Sequence, residues 1–412
     1  MSFYNKNTFT KQTDDGYWNE TDNWSTGILP EASESVVIDG AAIIPNDYVA
    51  QVDEIYLTSN GSLTLADGAQ LKHNNEGVEA KVWKTITPYT IAQGNGEEKS
   101  NGWNLIASPM QSEVDPSGNM LSNNFDLYRF NQRESLEWLN YQQYFYLSPY
   151  FKLFNGQGYL YANSGDGYNP NVMIDMEGQL RPAGEDVSVS LVYEANAILS
   201  GWNLVGNPFA CNAYLTEPRD FYVLNADRNE LTISESNVIA PMEGLFVQAA
   251  DANDNAVTFT TTMPQSMSTG GALTLNVYEG SSNISGTEVA DRAKVRFDNG
   301  SALSKFSLNP NGTKLFITRG HQDYAVVSAD ASGEVPVSFK AERNGTYTIS
   351  VNPENVEFDY LHLIDTMAGA DVDMLAEPSY TFDAKTTDAV NRFKIVFSVN
   401  KTDERAQKTL VE

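Results

Sequence analysis

Apolar residues recur along this chain in short alternating runs, not at helical spacing. Leu273, Leu275 and Val277 fall on one face of an extended segment. Ala293, Val295 and Phe297 repeat the pattern, as do Tyr347, Ile349 and Val351, and then Phe393, Ile395 and Phe397. A period of two sends alternate side chains to one face, which marks a half-buried strand. Nearer the N-terminus the runs are shorter: Val36-Val37-Ile38, Ala42-Ile43-Ile44, Ile55-Tyr56-Leu57, Leu63-Thr64-Leu65 and Gln70-Leu71. Asp39-Gly40, Asn60-Gly61 and Asp67-Gly68 separate them, and such dipeptides tolerate a positive φ. No amphipathic helix competes, so the pattern predicts an all-β chain.

One stretch occurs twice. Gly102-Trp103-Asn104-Leu105-Ile106-Ala107-Ser108-Pro109 returns as Gly201-Trp202-Asn203-Leu204-Val205-Gly206-Asn207-Pro208, 99 positions later. A turn glycine precedes a short strand, Trp and Leu share a face, and Pro, lacking an N–H, ends the ladder. Three further blocks follow each copy in the same order. Asp126-Leu127-Tyr128-Arg129-Phe130 answers Asp220-Phe221-Tyr222-Val223-Leu224; residues 156–161 answer 242–247; residues 171–174 answer 255–259. A repeat this long is a module, not a short solenoid repeat. The predicted organisation is a small β-solenoid-like unit over 1–92, related β-sandwich modules over 93–186 and 187–268, a C-terminal antiparallel β-sandwich over 269–400, and a polar tail over 401–412. Asn299-Gly300, Asn311-Gly312 and Asn344-Gly345 read as hairpin turns in the last sandwich. Both Trp103 and Trp202 are expected to be buried in equivalent positions.

With 412 residues, length accommodates about three domains. The net charge of −28 argues against a nucleic-acid partner, which needs clustered Lys and Arg. Cys211 is the only cysteine, so no disulfide forms within the chain. No apolar run reaches the roughly 18 residues of a membrane helix, so no transmembrane helix is expected. Met1-Ser2-Phe3-Tyr4-Asn5-Lys6 has no apolar signal-peptide region, which suits a cytosolic protein or one whose signal peptide lies outside this sequence.

Motifs for catalysis are absent: there is no G-x-S-x-G, P-loop or H-E-x-x-H. His73, His321 and His362 lie in three regions without a second ligand at metal spacing, and Cys211 reads as a small core residue. Three acidic loops are candidate Ca²⁺ sites. Asp251 to Asn255 opens like an EF-type loop, but Ala256 and Thr262 stand where Gly and Glu are needed. Asn225, Asp227 and Asn229 occupy a turn, and Asp365, Asp371 and Asp373 flank Met367-Ala368-Gly369. Between Trp138 and Phe154, eight of seventeen residues are aromatic. Trp138, Tyr141, Tyr144, Tyr146 and Tyr150 are the candidate ligand contacts, since an aromatic platform stacks on sugar rings. The competing reading, a core or a module–module interface, is preferred because strands favour aromatics.

The "GWNL(I/V)" octads ending in Pro, the N-terminal "W.....NW..G.LP....VVI" pattern and the stretch "FDYLHLIDTMAGADVDMLAEPSYTFDAKTTDAVNRFKIVFS" (358–398) resemble large secreted and surface-anchored proteins of the Bacteroidota, often exported by type IX secretion. That resemblance implies an exported, extracellular or cell-surface β-protein whose signal peptide and sorting domain lie outside this sequence. It implies no reaction and no catalytic residues. The expected function is non-catalytic: adhesion, matrix building or display, with glycans or other surface proteins as partners. The alternative is a glycoside hydrolase or polysaccharide lyase with a carboxylate-lined cleft.

Overall fold

The computed structural model describes residues 6–13, 16–89, 91–94, 97–133, 138–141, 151–169, 171–225, 228–264, 270–280, 287–298, 300, 302–309 and 311–400. The chain is all-β, and it divides into two compact units. One takes residues up to 217 together with 235–264; the other takes 218–234 and everything from 265 onward.

The first unit begins as a β-solenoid. Its strands pair in parallel: Asn7–Phe9 with Ser35–Ile38, which pairs with Glu54–Leu57; Ala41–Ile44 with Ser62–Leu65; Val49–Gln51 with Gln70–Lys72. Register partners such as Val36 and Ile55, or Ala41 and Ser62, are one coil apart. Glycine holds the coil corners for a steric reason: a Cβ on Gly61 would lie 2.0 Å from the Ile38 carbonyl of the coil below. The strand Glu79–Ile86 ends the stack. It runs parallel to Ser62–Leu65 on one side and antiparallel to Val172–Gln179 on the other, so the solenoid sheet continues into the first module. One hydrophobic core accordingly runs from Phe9 and Trp24 through Leu71 and Ile86 to Tyr161 and Met242.

The aligned blocks of the two modules occupy matching positions. Asn104–Ala107 pairs with Gly158–Asn163, setting Leu105 opposite Leu160 and Ala107 opposite Gly158. Trp202–Gly206 pairs with Gly244–Gln248, setting Leu204 opposite Phe246 and Gly206 opposite Gly244. Gly102 and Gly201 share φ values of 77° and 78°. Asn104 and Asn203 each donate a side-chain hydrogen bond to the glycine carbonyl two residues back, at 2.9 and 2.7 Å.

The octads also meet each other reciprocally. Ile106 bridges Glu243, while its counterpart Val205 bridges Gln157, the counterpart of Glu243. The Ala107 N–H donates to the Met242 carbonyl (3.1 Å), and the Gly206 N–H donates to the Gly156 carbonyl (2.9 Å). When position i of one copy meets j of the other and the reverse also holds, the contact has two-fold character. Two-fold pairing forces equivalent positions together near the axis. A Cβ on Gly206 would lie 2.2 Å from the Cβ of its counterpart, Ala107. Only one of the two positions has room for a methyl group.

Trp202 is 3 % exposed, but Trp103 is half-buried, so the expected equality of burial fails although the register holds. First-module groups lie beside Trp202: Gln132 hydrogen bonds to its carbonyl, and Phe130 packs on Phe246, whose ring is 6.5 Å from that of Trp202.

The second unit buries its core with a sheet of eleven strands among the described residues, from Ala370–Asp373 at one end to Ser379–Ala384 at the other. The sheet closes over Leu275, Val295, Ile317, Phe339, Ile349, Leu363 and Ile395. All its pairings are antiparallel except that of Asp291–Arg296 with Gln322–Ser328. Asn344-Gly345 is not a hairpin turn. Ser332–Lys340 before it pairs with Lys314–Arg319 and Phe393–Val399, whereas Gly345–Glu354 after it pairs with Ala272–Glu279 and Ser379–Ala384. The chain passes there between strands with different partners, through the exposed residues 343–346. Asn311-Gly312 likewise precedes a strand without closing a hairpin, and Asn299 lies outside the described residues. The tight hairpin is at Gly320-His321, between paired Arg319 and Gln322.

The second unit also claims a hairpin that the repeat assigns to the second module. Tyr222–Leu224 pairs with Leu231–Ile233, as Phe125–Phe130 pairs with Trp138–Asn140 in the first module. A buried polar network anchors it. Glu230 accepts from Ser307 Oγ (2.7 Å), from the Leu308 and Asn309 N–H groups, and from Lys314 Nζ. Nearby, Lys305 Nζ donates to Asp291 at 2.7 Å. Burial lowers the Lys305 pKa while Asp291 works against that shift.

Candidate functional site

Of the five aromatic positions expected to contact a ligand, Trp138 and Tyr141 lie among the described residues and Tyr144, Tyr146 and Tyr150 do not. Trp138 is half-buried, with its ring edge-on to Phe130 (5.2 Å) and to Phe246 of the second module (5.8 Å). Tyr141 is 4 % exposed and packs edge-on to Phe151 at 4.8 Å. Trp138 therefore belongs to the contact between modules, and Tyr141 to the core of the first.

The three aspartates proposed for Ca²⁺ do separate work. Asp365 is fully buried and takes three hydrogen bonds from Arg392, the shortest 2.7 Å. It also accepts the Met367 and Ala368 N–H groups and the Tyr380 hydroxyl. Burial alone would raise its carboxyl pKa; Arg392 and the turn N–H groups reverse this and hold it below the usual carboxylate range. Asp371 bonds His362 Nδ1 at 2.7 Å, and Asp373 accepts the Leu375 N–H at 3.0 Å. Their donors already occupy these carboxylates, and the structure does not bring them together as a ligand set. Among the described residues no group of three or more His, Cys, Asp or Glu converges for a metal. In the other two acidic loops, Asp251 accepts the Asn253 N–H and Asn225 accepts the Asn229 N–H, as turns require; Asp227 lies outside the described residues. Cys211 is buried, and burial pushes its thiol up to about 12, so it carries no thiolate at neutral pH.

Two clefts stand out. One, in the second unit, has a volume of ≈ 400 Å³ and is lined by Asp298, Asp330, Glu334 and Arg319. Glycoside hydrolysis needs one carboxyl held protonated beside another that is ionised. Asp298 moves the opposite way. Burial would raise its pKa, but Arg296 Nη2 at 2.7 Å and the Gly300 N–H at 2.9 Å hold it below the ordinary range. Glu334 is paired with Lys394 at 2.9 Å.

The other cleft lies between the modules of the first unit and encloses ≈ 390 Å³. Its walls are the end of the strand Phe125–Phe130, the turn 154–157, the end of Val187–Ser190, and Trp202 to Val205. Gln132, 5 % exposed, closes its base. The Gln132 amide donates to the Val192 carbonyl (2.8 Å) and the Trp202 carbonyl (3.0 Å), and accepts the Gly201 N–H (2.7 Å) and the Glu194 N–H (3.2 Å). One side chain thus satisfies four backbone groups of the other module. No motif marks Gln132 in the sequence. The only signal is its place just beyond an aligned block, opposite no matching glutamine.

His73 is also buried, with 1 % exposure. Its Nδ1 lies 2.9 Å from the Asn75 carbonyl, and Nε2 finds no hydrogen-bond partner among the described residues. Burial lowers its pKa from 6.5 to about 4. The unfolded chain therefore binds the proton more tightly, and stability falls as pH drops from about 6.5 through about 4. The loss is about 3 kcal/mol if the unfolded chain titrates normally. In urea titrations at pH 7 and pH 4, His73→Gln should show a correspondingly smaller loss than the wild type. Equal losses in the two proteins would mean that His73 carries none of the acid sensitivity.

No helix among the described residues is long and apolar enough to cross a membrane. No protein-family model, curated protein or solved structure matches the chain.

Proposed function

We propose that the protein is a non-catalytic β-scaffold, exported to the cell surface and used there in adhesion, matrix building or display. The observation that carries this reading is the reciprocal pairing of the octads. The repeated residues, Trp138 and Gln132 are spent on fixing one module to the other, which gives a rigid body for presenting surfaces. The continuous core from solenoid to second module supports the same role. The resemblance of the octads and of residues 358–398 to Bacteroidota surface proteins supports the location.

The purified chain should be retained on intact cells or on arrayed glycans without releasing sugar products from a polysaccharide panel. Surface labelling of intact cells should find it outside. Turnover of any polysaccharide, or a protein confined to the cytosol, would refute the proposal.

A further inference from the structure

The cleft between the modules has chemistry that its scaffolding role does not use. Arg129 lines it from the strand Phe125–Phe130. Its charge lies near enough to Tyr159 to oppose the rise that burial causes in that phenol's pKa. Among the described residues no carboxylate lies within ion-pair distance of Arg129, in a chain of net charge −28. Arg133, on the same rim, is exposed and paired with the half-buried Glu194 at 2.8 Å. Arg129 is half-buried as a residue, and its guanidinium can take an incoming carboxylate as a bidentate, charge-assisted pair.

The repeat supplies an internal comparison. The residue aligned with Arg129 is Val223, and the one aligned with Gln157 is Glu243, which lies 3.8 Å from Lys84. The module fold therefore does not need a cation at this position. The rest of the cleft suits a sugar. Val192 gives an exposed apolar wall, while Gln157 and Ser190 offer an amide and a hydroxyl. The volume of ≈ 390 Å³ falls within the usual range for small-ligand sites.

We propose that this cleft binds an acidic sugar unit, with Arg129 anchoring its carboxylate. The inference rests on the surface-scaffold reading and names a ligand class for it. Calorimetric titration of the whole chain should show binding of a digalacturonate and much weaker binding of the neutral digalactoside or of acetate. Those two arms separate a uronate site from a plain sugar site and from a plain anion site. Arg129→Gln should weaken the digalacturonate at least about tenfold, the order expected for losing a charge-assisted pair. Ser190→Glu, at an exposed strand end, should do the same by repulsion while leaving the melting temperature unchanged, so the test survives if Arg129→Gln folds poorly. Equal affinity for the neutral sugar or for acetate, or undiminished affinity in both variants, would overturn the proposal. Loss of the cleft proposal alone would show as absent uronate binding with cell retention intact. Cleavage of the sugar during titration would instead refute the non-catalytic reading and leave the cleft in place.

Discussion

Replacing Arg392 with Met should cost about 3–5 kcal/mol, the loss seen when one partner of a buried ion pair is removed. Arg392 is 5 % exposed and Asp365 is fully buried. The guanidinium holds both Asp365 oxygens, donates to the Asp383 carbonyl at 2.8 Å, and lies over the Phe382 ring at 4.5 Å. Met keeps much of the stem packing but leaves the carboxylate beside phenylalanines with only Tyr380 and two turn N–H groups. The variant should show a urea midpoint well below wild type, with the loss shrinking at acid pH as Asp365 takes up a proton. Pairing Arg392→Met with Asp365→Leu should recover much of the loss, since a matched apolar pair often replaces a buried ion pair at little cost. A single variant within about 0.5 kcal/mol of wild type would mean that Asp365 is not held as described.

Trp202→Ala should also cost about 3–5 kcal/mol, as large-to-small core changes do. Trp202 lines the base of the module contact, with Phe246 at 6.5 Å and the Gln132 amide on its carbonyl. Trp103→Ala should cost markedly less, because the Trp103 ring is half-buried and leans on Tyr128 at 6.0 Å. Denaturation of the two variants under the same conditions measures the difference. Equal losses would mean that the first module does not cover Trp202.

The sequence made the strands and the repeat legible because both are local. Period-two alternation named Leu273, Val295, Ile349 and Ile395 as core residues, and all four are buried. The alignment of 156–161 with 242–247 matched two strands that the structure places alike, each beginning at the aligned Gly158 and Gly244 and pairing with its own octad. What stayed hidden depends on contacts between residues far apart in the chain. Nothing in the octad says that it will meet its own copy, although the Ala107 and Gly206 pair fits that meeting once it is known. The Asn344-Gly345 dipeptide suits a tight turn, but whether the flanking strands pair depends on strands from elsewhere in the unit. Gln132 and Glu230 have no spacing to reveal them, since their partners lie 60 or more residues away, and Lys305 reaches Asp291 from an irregular segment 14 positions downstream. Asp365, Asp371 and Asp373 looked like a ligand set because an acidic loop shows its carboxylates and not their donors. Arg392, which neutralises the first of them, lies 27 positions downstream.

The central claim is that two copies of one module are joined about a local two-fold, with Ala107 and Gly206 against each other on it. The direct measurement is a double-mutant cycle on that pair by chemical denaturation. Gly206→Ala alone sets a methyl where only 2.2 Å separates the two positions, and should cost about 1–3 kcal/mol by overpacking. Ala107→Gly alone should cost about 0.5–1 kcal/mol from added backbone freedom. Together they exchange the two residues across the axis, so the second change should relieve the first and recover about 1 kcal/mol or more of the summed loss. Strictly additive losses, or a harmless Gly206→Ala, would contradict the two-fold pairing.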